Sequence, residues 1–208
     1  MIAMQDVPDH AAEYLAAVQH SRESVLTRPS PVPAIAGVYG WWFRDISPGV
    51  PADGCTTSNG LTLLYTGISP KKPPTNGKPP SSQTIRHRIR THYSGNAEGS
   101  TLRRTLGCLL HSDLGIELRR YGSGKRYTFG IGEQKLSQWM AANAYVSWIE
   151  HESPWEVEDR LIEHLNVPLN LDGNKHNSFY PTLKTVRAAA VARANSIPVL
   201  ANPGVGGR

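Results

Sequence analysis

Cysteine is nearly missing from this sequence: 208 residues hold two, Cys55 and Cys108. They form no CxxC pair and join no ligand cluster, which excludes a disulfide framework and a thiolate zinc site. Long apolar runs are missing too, and none approaches the roughly 20 residues that a membrane-spanning helix needs. The opening MIAMQDVPDH carries acids early and lacks a basic-then-apolar signal pattern, so the expectation is a cytoplasmic protein. Acidic residues are scarce in one region. Between Ser69 and Arg104, Glu98 stands alone against Lys71, Lys72, Lys78, Arg86, Arg88, Arg90, Arg103 and Arg104, giving that segment +7 in a chain of net +5. A local basic band of this kind is the footprint expected of a polyanion binder, and these lysines and arginines are the candidate nucleic-acid contacts. The plain alternative is a solvated loop that aids solubility.

What is present fits a folded domain: 39% hydrophobic and 19% charged residues over a length that can bury a core. Helical spacing runs from His10 to Thr27 until RPSPVPA breaks it. AIAGVYGWWF (Ala34–Phe43) reads as a strand with Gly37, Tyr39, Trp41 and Phe43 on one face, and LTLLYTG (Leu61–Gly67) as the next, with Leu61, Leu63, Tyr65 and Gly67 on one side. Loops rich in Gly, Pro and Ser surround the second strand. Further on come a short helix in TLRRTLGCLLHSDLG, a hairpin over Ile116–Ile131 turning at GSG, a helix over Gln134–Asn143 and a strand at Tyr145–Ile149. Ser153, Pro154 and Glu156 form a helix-start signature. A last helix spans Tyr180–Asn195, followed by a loose tail. The class is α+β: a small antiparallel three-stranded central sheet flanked by helices, with added terminal helices and an extra hairpin. The expected organisation is an N-terminal helical extension (1–33), a central domain (34–172), and a C-terminal helix with a tail (173–208).

Two helices carry chemistry at odds with simple amphipathicity. In TIRHRIRTHY (Thr84–Tyr93), Ile85, Ile89 and Tyr93 make one apolar stripe. Arg88 and His92 stack along one edge of that stripe, while Arg86 and Arg90 line the other. In PWEVEDRLIEHL, Glu158 falls inside the arc of Trp155, Leu161, Ile162 and Leu165. A carboxylate aimed at a core needs a cation or donors to meet it. Either a buried arginine or a metal ion serves, and one carboxylate suffices for Mg²⁺ when water and substrate phosphate fill the remaining positions.

Taken in order, Gly37-Val38-Tyr39, Tyr65-Thr66-Gly67, Arg88 with His92, Glu158 before Leu161-Ile162, and Pro168-Leu169-Asn170 resemble the GIY-YIG endonuclease family. The resemblance covers roughly Ala34 to Asn170. It implies that Tyr39 and Tyr65 are the two motif tyrosines, Arg88 the catalytic arginine, and His92 the histidine some members carry one turn on. It also implies that Glu158 is the sole protein metal ligand, for Mg²⁺ or Mn²⁺, and that Asn170 shapes the site from behind. The implied activity is hydrolysis of DNA phosphodiesters, with RNA as substrate, or binding without cleavage, as alternatives. Tyr39 or His92 would accept the proton from water.

The chain departs from the family pattern in places. The motif tyrosines are 65 − 39 = 26 residues apart, which makes Arg44–Gly60 an insertion. Thr66 replaces the isoleucine of the second motif. Ile68-Ser69 stand where a lysine is common, and Lys71 and Lys72 follow. Trp41 and Trp42 point to opposite faces, and the expectation is that only one is core.

Overall fold

Seven consecutive residues, Gly37–Phe43, are all buried. A run without polar alternation marks a strand covered on both faces and paired on both edges. In the computed structural model, which describes residues 10–202, this strand is the middle of the sheet. What was expected of residues 1–9 and 203–208 lies outside the described residues.

The elements, in chain order, are α1 (Ala11–Ala16), β1 (His20–Ser21), α2 (Arg22–Leu26), β2 (Gly37–Phe43), β3 (Thr57–Ser58), β4 (Leu61–Ser69), α3 (Ile85–Ser94) and α4 (Thr101–Leu109). There follow α5 (His111–Leu114), β5 (Arg119–Tyr121), β6 (Arg126–Thr128), α6 (Gly132–Asn143), β7 (Ala144–Glu150), α7 (Pro154–His164) and α8 (Tyr180–Ser196). The main sheet has the order β1-β7-β2-β4-β3 and is antiparallel throughout, and β5 and β6 form a separate hairpin. Five strands replace the expected three. The additional two, β1 and β3, have two residues each, too few to show any alternation in the sequence. Among the described residues no helix is long and apolar enough to cross a membrane.

Helices cover both faces of the sheet. One side packs Tyr39, Trp41 and Phe43 against α2, α3, α4 and α6. The other packs Val38 and Trp42 against α1 and α7. Both tryptophans are therefore core residues at 0% exposure, correcting the expectation that only one could be. Trp42 spends its polar edge on Ser147 Oγ at 2.8 Å.

A bulge also overrides the simple alternation of β4. Trp41 pairs with Tyr65 but Trp42 with Leu63, so Leu64 is one residue too many. Leu61 and Leu63 consequently face α1 and α7, whereas Tyr65 faces the opposite side with Tyr39.

The N-terminal segment is not one helix. It breaks after α1, where Ala17 turns extended, and β1 pairs His20 and Ser21 with β7, which leaves Val18 outside at 70% exposure. Helix α7 does begin at Pro154, but Ser153 makes no side-chain cap bond, so the expected start signature is not realised as a capping box. The described part of the tail is not loose either, since Leu200 bridges to Tyr121.

Arg103 is the largest departure. Counted among the polyanion contacts, it is wholly buried on α4, on the face shared with Leu106, Gly107 and Leu110. Its guanidinium binds Glu133 Oε2 at 2.7 and 3.0 Å and donates to the carbonyls of His92, Tyr93 and Glu133. It ties the end of α3 to the start of α6 and has no surface to offer a ligand. Removing one partner of such a pair strands the other charge. Arg103→Ala should lower unfolding free energy by about 3–5 kcal/mol in urea titrations, while the nearby exposed Arg90→Ala should change it by less than about 0.5 kcal/mol.

Candidate active site

A cleft of about 290 Å³ opens at one end of the sheet, walled by side chains from five separate parts of the chain. Tyr39 comes from β2, Tyr65 from β4, Arg88 from α3, Glu158 from α7, and Asn170 from the turn after α7. Lys71 and Lys72, from the loop after β4, close one side.

The two tyrosine motifs owe their glycines to close approach. Tyr39 pairs with Gly67 across the ladder, and its phenol lies over that residue: a Cβ on Gly67 would sit 2.7 Å from Tyr39 Oη. At the start of β2, a Cβ on Gly37 would run into the carbonyl oxygen of Ile149 on β7. Hence the sequence needs Gly two residues before one tyrosine and two after the other.

Asn170 holds β4 from its open side. Its Oδ1 accepts the Thr66 N–H and its Nδ2 donates to the Thr66 carbonyl, both at 2.9 Å, so a side-chain amide does the work of a paired strand. The Thr66 hydroxyl meanwhile receives the Tyr14 hydroxyl at 2.8 Å. The threonine that replaces isoleucine in the second motif thus anchors α1.

His92 stands apart from the other five. It is buried behind Tyr39, with Nε2 2.9 Å from Tyr39 Oη and Nδ1 2.7 Å from Ser100 Oγ, and does not line the cleft. Burial, with Arg88 and Arg103 nearby, pushes its pKa well below the usual imidazole value and keeps the ring neutral. Burial raises the Tyr39 phenol above its ordinary range. The positive charge of Arg88 opposes this. Arg88 itself is steadied by donating from Nη1 to the Gly99 carbonyl at 2.6 Å.

Glu158 has its pKa raised from 4.5 to about 7, chiefly by burial and further by Asp159 and Asp172, with Lys71 and Arg88 pulling the other way. Among the described residues no hydrogen bond or salt bridge engages its carboxylate, and no trio of His, Cys, Asp or Glu gathers to hold a metal. A half-buried oxygen donor that lines a cleft fits one hard cation bound through a single protein ligand. Asp159, which helical spacing puts on the outer face of α7 with Glu156 and Glu163, lines the cleft as well, and so does Asp172. Asp172 lies on the turn just after Asn170, where no periodicity exists to flag it.

The other candidate nucleic-acid contacts are dispersed. Lys78 is exposed farther along the loop. Arg90 is exposed and borders a shallow groove on the outer side of α3 with Arg86, whose Nε donates to the Val32 carbonyl at 2.6 Å. Arg104 is turned toward Glu98 at 3.1 Å and the Ala97 carbonyl. The hairpin arginines Arg119 and Arg120 are spent on carbonyls at and beyond the end of α8.

Compared with known proteins, residues 37–189 match the family model described as the GIY-YIG catalytic domain. A glycogen phosphorylase from Chlamydia trachomatis serovar D is 33% identical over 66 residues, which covers 32% of this chain and 8% of that protein. The chain thus spans under a tenth of that relative's length. No solved structure matches it.

The Glu158 shift has a measurable sign. Below pH 4.5 the carboxyl is neutral whether the chain is folded or not. Between 4.5 and about 7 the unfolded chain ionises first, so folding is penalised increasingly, and above 7 the penalty is constant. In a chelating buffer, Glu158→Gln should match the parent's stability at pH 4 and exceed it at pH 8 by about 1–3 kcal/mol, read from chemical denaturation at both pH values.

Proposed function

The chain belongs to the GIY-YIG catalytic-domain family, and from that premise we propose that it is a metal-dependent endonuclease that hydrolyses DNA phosphodiesters in the cleft between Tyr39 and Glu158. The supporting observation is convergence: Tyr39, Tyr65, Arg88, Glu158 and Asn170, dispersed over 132 positions (39 to 170), line one cleft with two lysines at its rim.

Hydrolysis needs an aligned water, relief of charge on the non-bridging oxygens and help for the leaving oxygen. Arg88 offers a fixed planar cation, half-buried and held by Gly99, to a phosphate oxygen. Lys71 and Lys72 neutralise the flanking backbone. Glu158 is the residue that would hold Mg²⁺ or Mn²⁺; when bound, such an ion supplies charge neutralisation to the phosphate and the departing oxygen. Tyr39 Oη, having first given its own proton to solvent under the positive charge of Arg88, takes the proton as water attacks phosphorus. The P–O3′ bond breaks, and the products are a 5′-phosphate and a 3′-hydroxyl, whose proton comes from solvent. Tyr65 borders the same space, and Asn170 fixes the strand on which it stands.

The test is cleavage of supercoiled plasmid and of single-stranded DNA and RNA oligonucleotides by the full chain with Mg²⁺ or Mn²⁺. Cutting of DNA should require the metal and disappear in Glu158→Ala. Tyr39→Phe and Arg88→Ala should each lower the rate by about 10²–10⁴-fold with folding intact by circular dichroism. Binding without cutting, equal in the parent and Glu158→Ala, would overturn the nuclease reading. Cutting of RNA alone would overturn its DNA assignment.

A further inference from the structure

His92 and Ser100 form a closed pair behind the cleft, both at 0% exposure. Ser100 has two tasks. It N-caps α4 by accepting the Arg103 N–H at 3.1 Å, and its Oγ lies 2.7 Å from His92 Nδ1. A hydroxyl has one proton to give. If His92 carried its proton on Nδ1, Ser100 Oγ would accept twice, and its own proton would meet no acceptor among the described residues. An unsatisfied buried donor disfavours that arrangement by about tenfold or more. With Ser100 donating to Nδ1 instead, every polar atom of the pair is used. The ring proton then sits on Nε2, 2.9 Å from Tyr39 Oη.

We propose that Ser100 is a positioning residue that locks neutral His92 in its Nε2–H tautomer, so that His92 donates a hydrogen bond to Tyr39 Oη. His92 Nε2–H then reaches that oxygen from behind, and the positive charge of Arg88 lies near it on the cleft side. The arrangement suits an oxygen that bears negative charge and leaves His92 no free lone pair with which to take the phenolic proton. The proton released by the attacking water goes to Tyr39 and stays there until it exchanges with solvent. The groups facing this pair from neighbouring elements agree with a neutral ring. Arg88 on α3 and Arg103 on α4 both oppose an imidazolium, while Glu158 on α7 acts on Tyr39 from across the cleft. The consequence for catalysis rests on the nuclease reading; the tautomer does not.

The first measurement is long-range ¹H–¹⁵N correlation NMR of the full chain, with the His92 signals identified by their loss in His92→Gln. The expected pattern is a protonated-type Nε2 and an unprotonated-type Nδ1, constant between about pH 5 and 8. The reversed pattern, or a ring that titrates in that range, would overturn the proposal even if cleavage proceeds normally. In cleavage assays, Ser100→Ala should move the acidic limb of the pH–rate profile upward by about one unit, and Ser100→Thr, which keeps cap and hydroxyl, should restore it. A Ser100→Ala profile of unchanged shape at a lower plateau would show a structural cap only and sink the proposal. If the parent cuts no substrate, the nuclease reading fails and the spectra still decide the tautomer.

Discussion

Strand β2 has no free side, and the rest of the molecule is arranged around that constraint. β4 and β7 pair with its two edges, and its faces meet two separate cores. Packing this dense leaves no slack for a shift of even one methyl group. Gly37 lies against the β7 backbone, and Gly40 lies under the Tyr14 hydroxyl, which a Cβ would approach to 2.6 Å. Tyr39 sits between these two glycines, so close packing on either side fixes the backbone from which its phenol is aimed. Close contacts fix the sheet side of the cleft, while Lys71 and Lys72 enter it from a proline-rich loop.

Burial acts on the cleft in one direction: it favours neutral forms of Glu158, Tyr39 and Tyr65 alike. Arg88 works against this for all three, from one position on α3. The cleft therefore gathers three acidic groups that burial keeps toward their neutral forms, with Arg88 as the cation common to all three.

Much of this was legible from residue order. The inward Glu158, the Arg88 edge of α3 and the two glycine-flanked tyrosines all follow from helical and strand periodicity, and the family they point to is the one the chain belongs to. The sequence misled where periodicity breaks or charge is counted without direction. The Leu64 bulge reverses the leucines of β4, and β1 and β3 are too brief to announce themselves. Charge alone places Arg103 among the surface cations, yet its position relative to Leu106, Gly107 and Leu110 carries the same inward signature as Glu158. Ser100 and Asp172 belong to turns, where only tertiary structure reveals what a side chain meets.

The two strands missing from the expected sheet have a bearing on self-association. An exposed strand edge is a template for pairing with another molecule, and proteins blunt it by keeping edge strands short. Here the outermost strands on both sides, β1 and β3, offer only two residues each, and the separate β5–β6 hairpin has part of its edge filled by Leu200 from the chain's own tail. Arg120 secures that tail by gripping the last carbonyls of α8. Through these same features the two sheets present little open edge on which another copy of the chain could pair.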